Sequence, residues 1–172
     1  MTVINKPINP LIEYLEKNSS GRLVHKWQHY FDVYHRHFAR FRGEPITMIE
    51  IGIFNGGSLK MWKDYFGPKS TIVGVDINPE CKKFEEPGIE VVIGDQSDRK
   101  FLKTLAEKYP KFAVLVDDGG HRMEQQIGTL RSYISLYVMM GYIFVRTPIH
   151  LICQFLEAEI WGRIHSLNIR KD

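Results

Sequence analysis

The chain has 172 residues, of which 44% are hydrophobic and 25% charged, and a formal net charge of +3. This size and composition are typical of one folded domain and exclude an intrinsically disordered chain. The Lys and Arg residues are scattered, which disfavours a nucleic-acid partner. No apolar run approaches the roughly 18 residues of a membrane span, and residues 1–20 contain no apolar signal region. We therefore expect a cytoplasmic protein without a membrane or nucleic-acid partner.

The two cysteines, Cys81 and Cys153, lie in different segments and lack the spacing of a metal site. Disulfides are rare in a reducing compartment, and a pair of isolated cysteines is typical of proteins that reside there. Two free thiols are therefore the favoured interpretation, which agrees with a cytoplasmic location.

Residues 1–43 predict an N-terminal helical segment. The stretch "NPLIEYLEKNSSG" predicts a short helix that ends at the Asn-Ser-Ser-Gly cluster. In residues 22–41 apolar side chains recur at steps of three and four, which predicts one apolar face of a long helix. The face consists of Val24, Trp27, Phe31, Tyr34, Phe38 and Phe41. We expect it to pack on a sheet, and such a helix is also suited to cover the mouth of a ligand pocket.

Residues 44–145 alternate between short apolar runs and helical patterns. The runs "ITMIEIG", "TIVGVD", "IEVVIGD", "AVLVDD" and "YIFV" are rich in Ile and Val, as buried strands of a parallel sheet are. The segments between them predict helices, above all "GSLKMWKDYF", "SDRKFLKTLAEKY" and "HRMEQQIGTLRSYISLYVMM". This pattern predicts an α/β domain with a doubly wound, Rossmann-like parallel sheet, whose ligands bind at the carboxyl ends of the strands.

The first strand ends in "EIGIFNGGS", which carries Glu50, Gly52, Gly56 and Gly57. A sharp turn from strand to helix favours glycine, because glycine tolerates positive φ and lets a ligand approach the backbone. The spacing lacks the second glycine of the G-x-G-x-x-G dinucleotide fingerprint. The charge of Glu50 would repel a pyrophosphate but tolerate an ammonium group. The motif therefore disfavours NAD and favours a ligand with a cationic amino-acid end.

The next two strands also end in polar residues. Asp76 lies 24 positions after Gly52, the distance at which an acid in such folds accepts hydrogen bonds from ribose hydroxyls. The third strand leads to Asp95 and Gln96, which we expect beside an adenine-sized slot.

The fourth strand ends in "VDDGGH", with Asp117, Asp118 and His121. A single acid at a strand end is explained by helix capping. Acids at the ends of four successive strands favour a functional site instead.

These motifs resemble a known group of enzymes. "EIGIFNGG", "GVDINP" and "GDQSD" resemble the S-adenosylmethionine (SAM) motifs of class I methyltransferases. "HKWQHYFDVYHRHFARFRG", "GGSLKMWKDYFGP", "FEEPGIEVVIGDQSD" and "DDGGHRMEQQI" resemble a bacterial subgroup, the macrolide and rhamnosyl sugar O-methyltransferases and proteins labelled cephalosporin hydroxylase. The resemblance covers residues 22–145.

The resemblance implies roles for the residues at the strand ends. The loop 50–57 would hold the methionine part of SAM, Asp76 the ribose, and Asp95 with Gln96 the adenine side. Because the relatives are metal-dependent, Asp117 or Asp118 would bind magnesium, and Asp118 would also be a candidate base near the acceptor hydroxyl. His121 would be a base or a partner of one, and the sequence does not decide between these roles.

Three functions remain open alternatives. The first, which the resemblance implies, is SAM-dependent O-methylation of a sugar or small-molecule hydroxyl, with Mg²⁺, in natural-product or polysaccharide biosynthesis, and this chain would be inactive if its catalytic half is missing. The second is a non-catalytic SAM-binding remnant or scaffold, and the third, which the glycine spacing disfavours, is an NAD-dependent oxidoreductase. The expected partner is a small-molecule or sugar acceptor, and self-association into a homo-oligomer is a further expectation.

Residues 146–172 depart from the resemblance. The relatives continue after the fifth strand with Glu-Asp-x-His-Thr-Ser-Tyr, where this chain has Arg146, Thr147, Pro148, Ile149 and His150. We therefore expect an aberrant tail, a sheet of order 3-2-1-4-5 without the last two of the usual seven strands, and an incomplete magnesium site.

We expect that one nucleotide has been lost before codon 146, which would explain this departure. With suitable synonymous codons, one restored G makes the same bases encode Glu-Asp-Thr-His-Thr-Ser-Tyr. Sequencing the coding DNA tests this prediction. The hypothesis is wrong if restoring one base near codon 146 opens no longer frame that contains the acid pair.

Overall fold

The computed structural model describes residues 8–120, 122–140 and 142–145. The helices are α1 (Pro10–Lys17), α2 (Gln28–Phe38), α3 (Gly57–Phe66), α4 (Arg99–Lys108) and α5 (Met123–Met140), with 3₁₀ turns at Ala39–Phe41 and Pro79–Phe84. The strands are β1 (Thr47–Ile51), β2 (Thr71–Asp76), β3 (Ile89–Ile93), β4 (Val114–Asp117) and β5 (Tyr142–Val145). None of the helices in these ranges is long and apolar enough to cross a bilayer.

The five strands form one parallel sheet in the order β3-β2-β1-β4-β5. The predicted Rossmann-like fold and strand order are therefore confirmed. Alternate residues of the central strand face opposite sides, so that Met48 enters one core and Ile49 the other. The predicted absence of two further strands and the predicted aberrant tail fall on residues 146–172, outside the described residues.

The N-terminal helices pack on the α3 face of the sheet. Phe31, Tyr34 and Phe38 of α2 are at most 2% exposed and share one core with Trp62 and Phe66 of α3. The aromatic face predicted for this region therefore packs as expected from residue 31 onward. Because this core is common to both parts, the boundary predicted between residues 43 and 44 stays a prediction.

The prediction of one long helix from residue 22 is wrong for its first turns. Helix α2 begins only at Gln28, and Trp27, predicted on the apolar face, is 63% exposed. Residues 22–27, here called the 22–27 segment, instead cross the amino end of α3. A Cβ atom at Gly57 would lie 2.6 Å from the carbonyl oxygen of Arg22 and closer still to that of Leu23. No helix includes the 22–27 segment, and the backbone of Trp27, its last residue, is extended with φ −70° and ψ 134°.

We predict that Gly57→Ala destabilises the fold, because the added methyl group meets backbone rather than a movable side chain. Overpacking of this kind costs about 1–3 kcal/mol. The matched control is Gly128→Ala in α5, where the nearest atom is Leu102 Cδ1 at 3.9 Å. That change should stabilise the helix by roughly 0.5–1 kcal/mol. Urea unfolding of both variants measures the difference, and equal effects would contradict the packing described for Gly57.

Candidate functional site

A cavity of about 800 Å³ lies at the carboxyl ends of the strands. Its size falls within the roughly 300–1,000 Å³ of small-molecule sites. The loops after β1, β2, β3 and β4 all contribute to it, together with Leu23 and His25 of the 22–27 segment. The strand ends that carry the predicted polar residues therefore meet in one place.

The turn after β1 requires glycine at its first position. Gly52 has a φ of +84°, and its backbone N–H donates to the carbonyl of Val75 over 2.8 Å. A Cβ atom there would lie 2.6 Å from Gly119 Cα and closer still to the Asp118 carbonyl oxygen. Two residues later Phe54 also has a positive φ, of 46°, which is uncommon for an aromatic residue. The turn is therefore tight and needs an external anchor.

Asp76 supplies that anchor from the end of β2. Its Oδ2 accepts hydrogen bonds from the backbone N–H groups of Ile53 at 3.0 Å and Phe54 at 3.1 Å. Its Oδ1 accepts a third from the N–H of Asn78 at 2.9 Å. A carboxylate offers about four lone-pair positions, so little capacity is left for two ribose hydroxyls unless these bonds rearrange. The ribose role of Asp76 stays a prediction.

Asp95 and Gln96 both line the cavity after β3. The hydroxyl and then the backbone N–H of Ser97 donate to Asp95 Oδ1, which lowers the pKa of this carboxyl below its usual value. Gln96 is buried, and its Nε2 donates to Asp117 Oδ2 at 2.6 Å and to Thr129 Oγ1 at 3.0 Å. Gln96 therefore ties this loop to the end of β4 and to α5.

The two neighbouring acids of "VDDGGH" point to different surroundings. Asp117 is fully buried, accepts hydrogen bonds from Gln96 and from the N–H of Gly119, and is not among the residues lining the cavity. Asp118 lines the cavity, and its Oδ2 lies 2.7 Å from Lys26 Nζ. The geometry favours Asp118 as the residue of this pair that meets a ligand. His121 lies outside the described residues.

Glu50 lies behind the cavity rather than in it. Its carboxylate accepts hydrogen bonds from Ser58 Oγ at 2.6 Å and Trp62 Nε1 at 3.1 Å. Its Oε1 also lies 2.8 Å from Lys26 Nζ, and the side chains of this pair are 0% and 2% exposed. The negative charge that we expected to meet a cationic ligand is thus paired within the protein. The role of Glu50 as a cofactor contact stays a prediction.

Lys26 is the buried residue that the sequence analysis missed. Burial alone would lower the pKa of its ammonium, but the charges of Glu50 and Asp118 outweigh burial and raise the pKa above its usual value. A helical interpretation of residues 22–41 gave no reason to bury this lysine. An extended interpretation of "RLVHKW" would have placed Val24 and Lys26 on the same inner side.

The structure brings only some of the predicted site residues to the cavity. Those lining it are Gly52, Asp76, Asp95, Gln96 and Asp118, whereas Glu50, Gly56, Gly57 and Asp117 are not among them. Within the described ranges no three His, Cys, Asp or Glu residues are grouped as metal ligands. Asp118 alone does not make a magnesium site, so any further ligand must come from elsewhere. The metal roles of Asp117 and Asp118 stay predictions.

The fold and the polar residues at the strand ends agree with the class of protein that the sequence predicted. A parallel Rossmann-like sheet with a glycine turn after β1 and acids after the following strands is the pattern from which the sequence predicted a SAM-dependent methyltransferase. No protein-family model matches the chain.

Similarity to characterised proteins identifies the relatives. Over 113 residues the chain is 39% identical to the 8-demethyl-8-(2-methoxy-alpha-L-rhamnosyl)-tetracenomycin-C 3'-O-methyltransferase of Streptomyces olivaceus, which matches 62% of this chain and 28% of that protein. Over 141 residues it is 36% identical to the demethylmacrocin O-methyltransferase of Streptomyces fradiae, which matches 76% of this chain and 35% of that protein.

A solved structure of the same group is also similar. The MycE methyltransferase from the mycinamycin biosynthetic pathway, in complex with Mg, SAH and mycinamycin VI, superposes with a TM-score of 0.65 and 29% identity. The match covers 77% of this chain and 35% of that one. The chain is homologous to macrolide and rhamnosyl sugar O-methyltransferases, which confirms the predicted relationship. It spans about a third of the length of these relatives.

We predict that Asp76→Ala loosens the turn after β1, because it leaves the N–H groups of Ile53 and Phe54 without their acceptor. Loss of a partly buried acceptor should lower the free energy of unfolding by about 1–3 kcal/mol. Asp76→Asn keeps one oxygen for the two N–H groups and should lose less. Urea unfolding of both variants tests the anchor, and an Asp76→Ala variant as stable as the parent would contradict it.

Proposed function

We propose that the protein is a SAM-dependent O-methyltransferase that methylates a hydroxyl of a sugar or small molecule in natural-product or polysaccharide biosynthesis. One observation carries the proposal: the glycine turn after β1, Asp76 after β2 and Asp95 after β3 face one cavity of about 800 Å³. The names of the relatives, which are rhamnosyl and macrolide O-methyltransferases, support the acceptor class.

In this proposal each strand end binds one part of SAM. The methionine part lies against the backbone of the turn at Gly52, which lines the cavity. The carboxylate of Asp76 accepts hydrogen bonds from the ribose, and Asp95 with Gln96 lies along the adenine. Glu50, Gly56 and Gly57 act from behind the cavity by shaping the turn and the start of α3.

Methyl transfer from a sulfonium is an in-line displacement, so alignment of donor and acceptor is the main task of the protein. Asp118, at the cavity wall, is the candidate base for the acceptor hydroxyl, with His121 as the alternative. A bound divalent ion would lower the pKa of that hydroxyl. Since no three His, Cys, Asp or Glu residues within the described ranges are grouped as metal ligands, we assign no step to it, and Mg²⁺ stays part of the proposal.

A second candidate function is SAM binding without methyl transfer. It is favoured by the lack of a three-residue metal group within the described ranges. Methyl transfer from labelled SAM to a rhamnosylated or macrolide acceptor, with Mg²⁺ added, separates the two functions. Transfer supports the enzyme, whereas SAM binding without transfer supports the binder.

The cellular setting completes the proposal. We propose a cytoplasmic location, which agrees with the free thiol of Cys81 in the structure. Association into a homo-oligomer also stays a proposal, and sedimentation of the purified chain tests it.

We predict that the protein binds S-adenosylhomocysteine (SAH) in calorimetry and does not bind NAD⁺. Asp76→Asn should weaken SAH binding by roughly 30- to 700-fold, the equivalent of about 2–4 kcal/mol for lost charge-assisted bonds. The matched control is Glu107→Gln, which removes one acidic charge on α4 where the side chain is 66% exposed. That control should bind as the parent does. Unchanged SAH affinity in Asp76→Asn would refute the ribose assignment, and NAD⁺ binding in place of SAH would refute the proposed function.

A further inference from the structure

The 22–27 segment alternates between the cavity and the interior. Leu23 and His25 line the cavity, whereas Val24 packs against the core and the Lys26 side chain is 2% exposed. Neighbouring residues of an extended chain point to opposite sides, so one row of side chains faces a ligand and the other is buried. The segment therefore forms one wall of the cavity.

Lys26 joins this wall to two other parts of the chain. Its Nζ lies 2.8 Å from Glu50 Oε1 on β1 and 2.7 Å from Asp118 Oδ2 after β4. The carboxylates are 0% and 7% exposed. A buried ion pair that loses one partner leaves an uncompensated charge, which is strongly unfavourable. Movement of the segment away from the sheet is therefore unfavourable, because it would leave the buried carboxylates of Glu50 and Asp118 without the ammonium group of Lys26.

Two other contacts of the segment are weaker restraints. The guanidinium of Arg22 lies 4.7 Å from the centroid of the Phe84 ring, and Arg22 itself is exposed. The carbonyls of Arg22 and Leu23 lie against Gly57, which limits how closely the segment approaches α3 but does not hold it there. Lys26 is thus better suited than either of these contacts to fix the segment in place.

We propose that Lys26 is a positioning residue of the cavity. It holds the 22–27 segment as a wall and fixes the carboxylate of Asp118, a residue that lines the cavity, although Lys26 is not among the described residues that line it. Its influence on a ligand therefore passes through Leu23, His25 and Asp118. The inference rests on the proposed function, because it takes the cavity as the site of the methyl donor.

The test combines SAH affinity with the accessibility of the segment. Lys26→Met keeps the length of the side chain and removes its charge. We expect it to bind SAH at least about tenfold more weakly than the parent in calorimetry. We also expect an arginine-specific protease to cut after Arg22 at least about tenfold faster, since cleavage follows the population of the opened segment. Cleavage after Arg99, at the start of α4, should change little.

Two further variants separate positioning from general stability. Leu102→Ala opens a hole in the opposite core and should leave both SAH binding and the Arg22 cleavage rate near those of the parent. If Lys26→Met does not fold, Lys26→Met with Glu50→Gln removes one charge of each sign from the cluster. The same weak binding and fast cleavage are expected for it.

The outcomes distinguish this inference from the proposed function. Parental SAH affinity in the Lys26 variants, or Arg22 cleavage no faster than in Leu102→Ala, overturns the inference alone. A parent chain that does not bind SAH overturns the proposed function and with it the ligand half of this inference. In that case the protease rates still decide whether Lys26 holds the segment.

Discussion

The turn that follows β1 lies between two stretches of backbone that leave no room for a side chain. On one side Gly52 meets Asp118 and Gly119, and on the other Gly57 meets the carbonyls of the 22–27 segment. Interiors are packed so closely that one methyl group cannot be added here without displacing backbone. This double contact brings the loop after β4, the start of α3 and the N-terminal segment to the same end of the sheet. The cavity exists because these three parts converge on the turn.

The same convergence brings buried charges together. Glu50, Asp117 and Asp118 contribute three carboxylates at the ends of two neighbouring strands, and Lys26 contributes an ammonium group between two of them. Burying ions costs several kcal/mol each unless they are paired. The neutral donors Ser58 and Gln96 each bind one further oxygen, Glu50 Oε2 and Asp117 Oδ2 respectively. The charges of Glu50 and Asp118 are therefore compensated inside the protein by Lys26.

Much of this arrangement could be predicted from the sequence, for a physical reason. The runs of Ile and Val are short and continuous, so they specify buried parallel strands, and their carboxyl ends must meet at one edge. Asp76 and Asp95 could therefore be placed at the cavity without coordinates. The relationship to sugar O-methyltransferases followed from motifs that lie at these same strand ends, and the similarity to those enzymes confirmed it.

The rest depended on packing that a linear pattern does not show. Apolar spacing in residues 22–41 is compatible with a helix throughout, whereas in the structure α2 begins only at Gln28 and the backbone of residues 22–23 lies against Gly57. In the structure Lys26 points inward and forms an ion pair with the carboxylate of Glu50, which the sequence analysis had expected to meet a ligand. Likewise, the position of Asp76 in the sequence does not show that its carboxylate binds three backbone N–H groups, because these bonds depend on the geometry of the neighbouring turns.

A crystal structure of the protein with SAH tests the central claim most directly. The account predicts that SAH occupies the cavity, with the homocysteine part against the backbone of Gly52 and the ribose hydroxyls within hydrogen-bonding distance of Asp76. Lys26 should still bridge Glu50 and Asp118 behind the ligand. SAH bound elsewhere, or ribose hydroxyls that do not reach Asp76, would contradict the account.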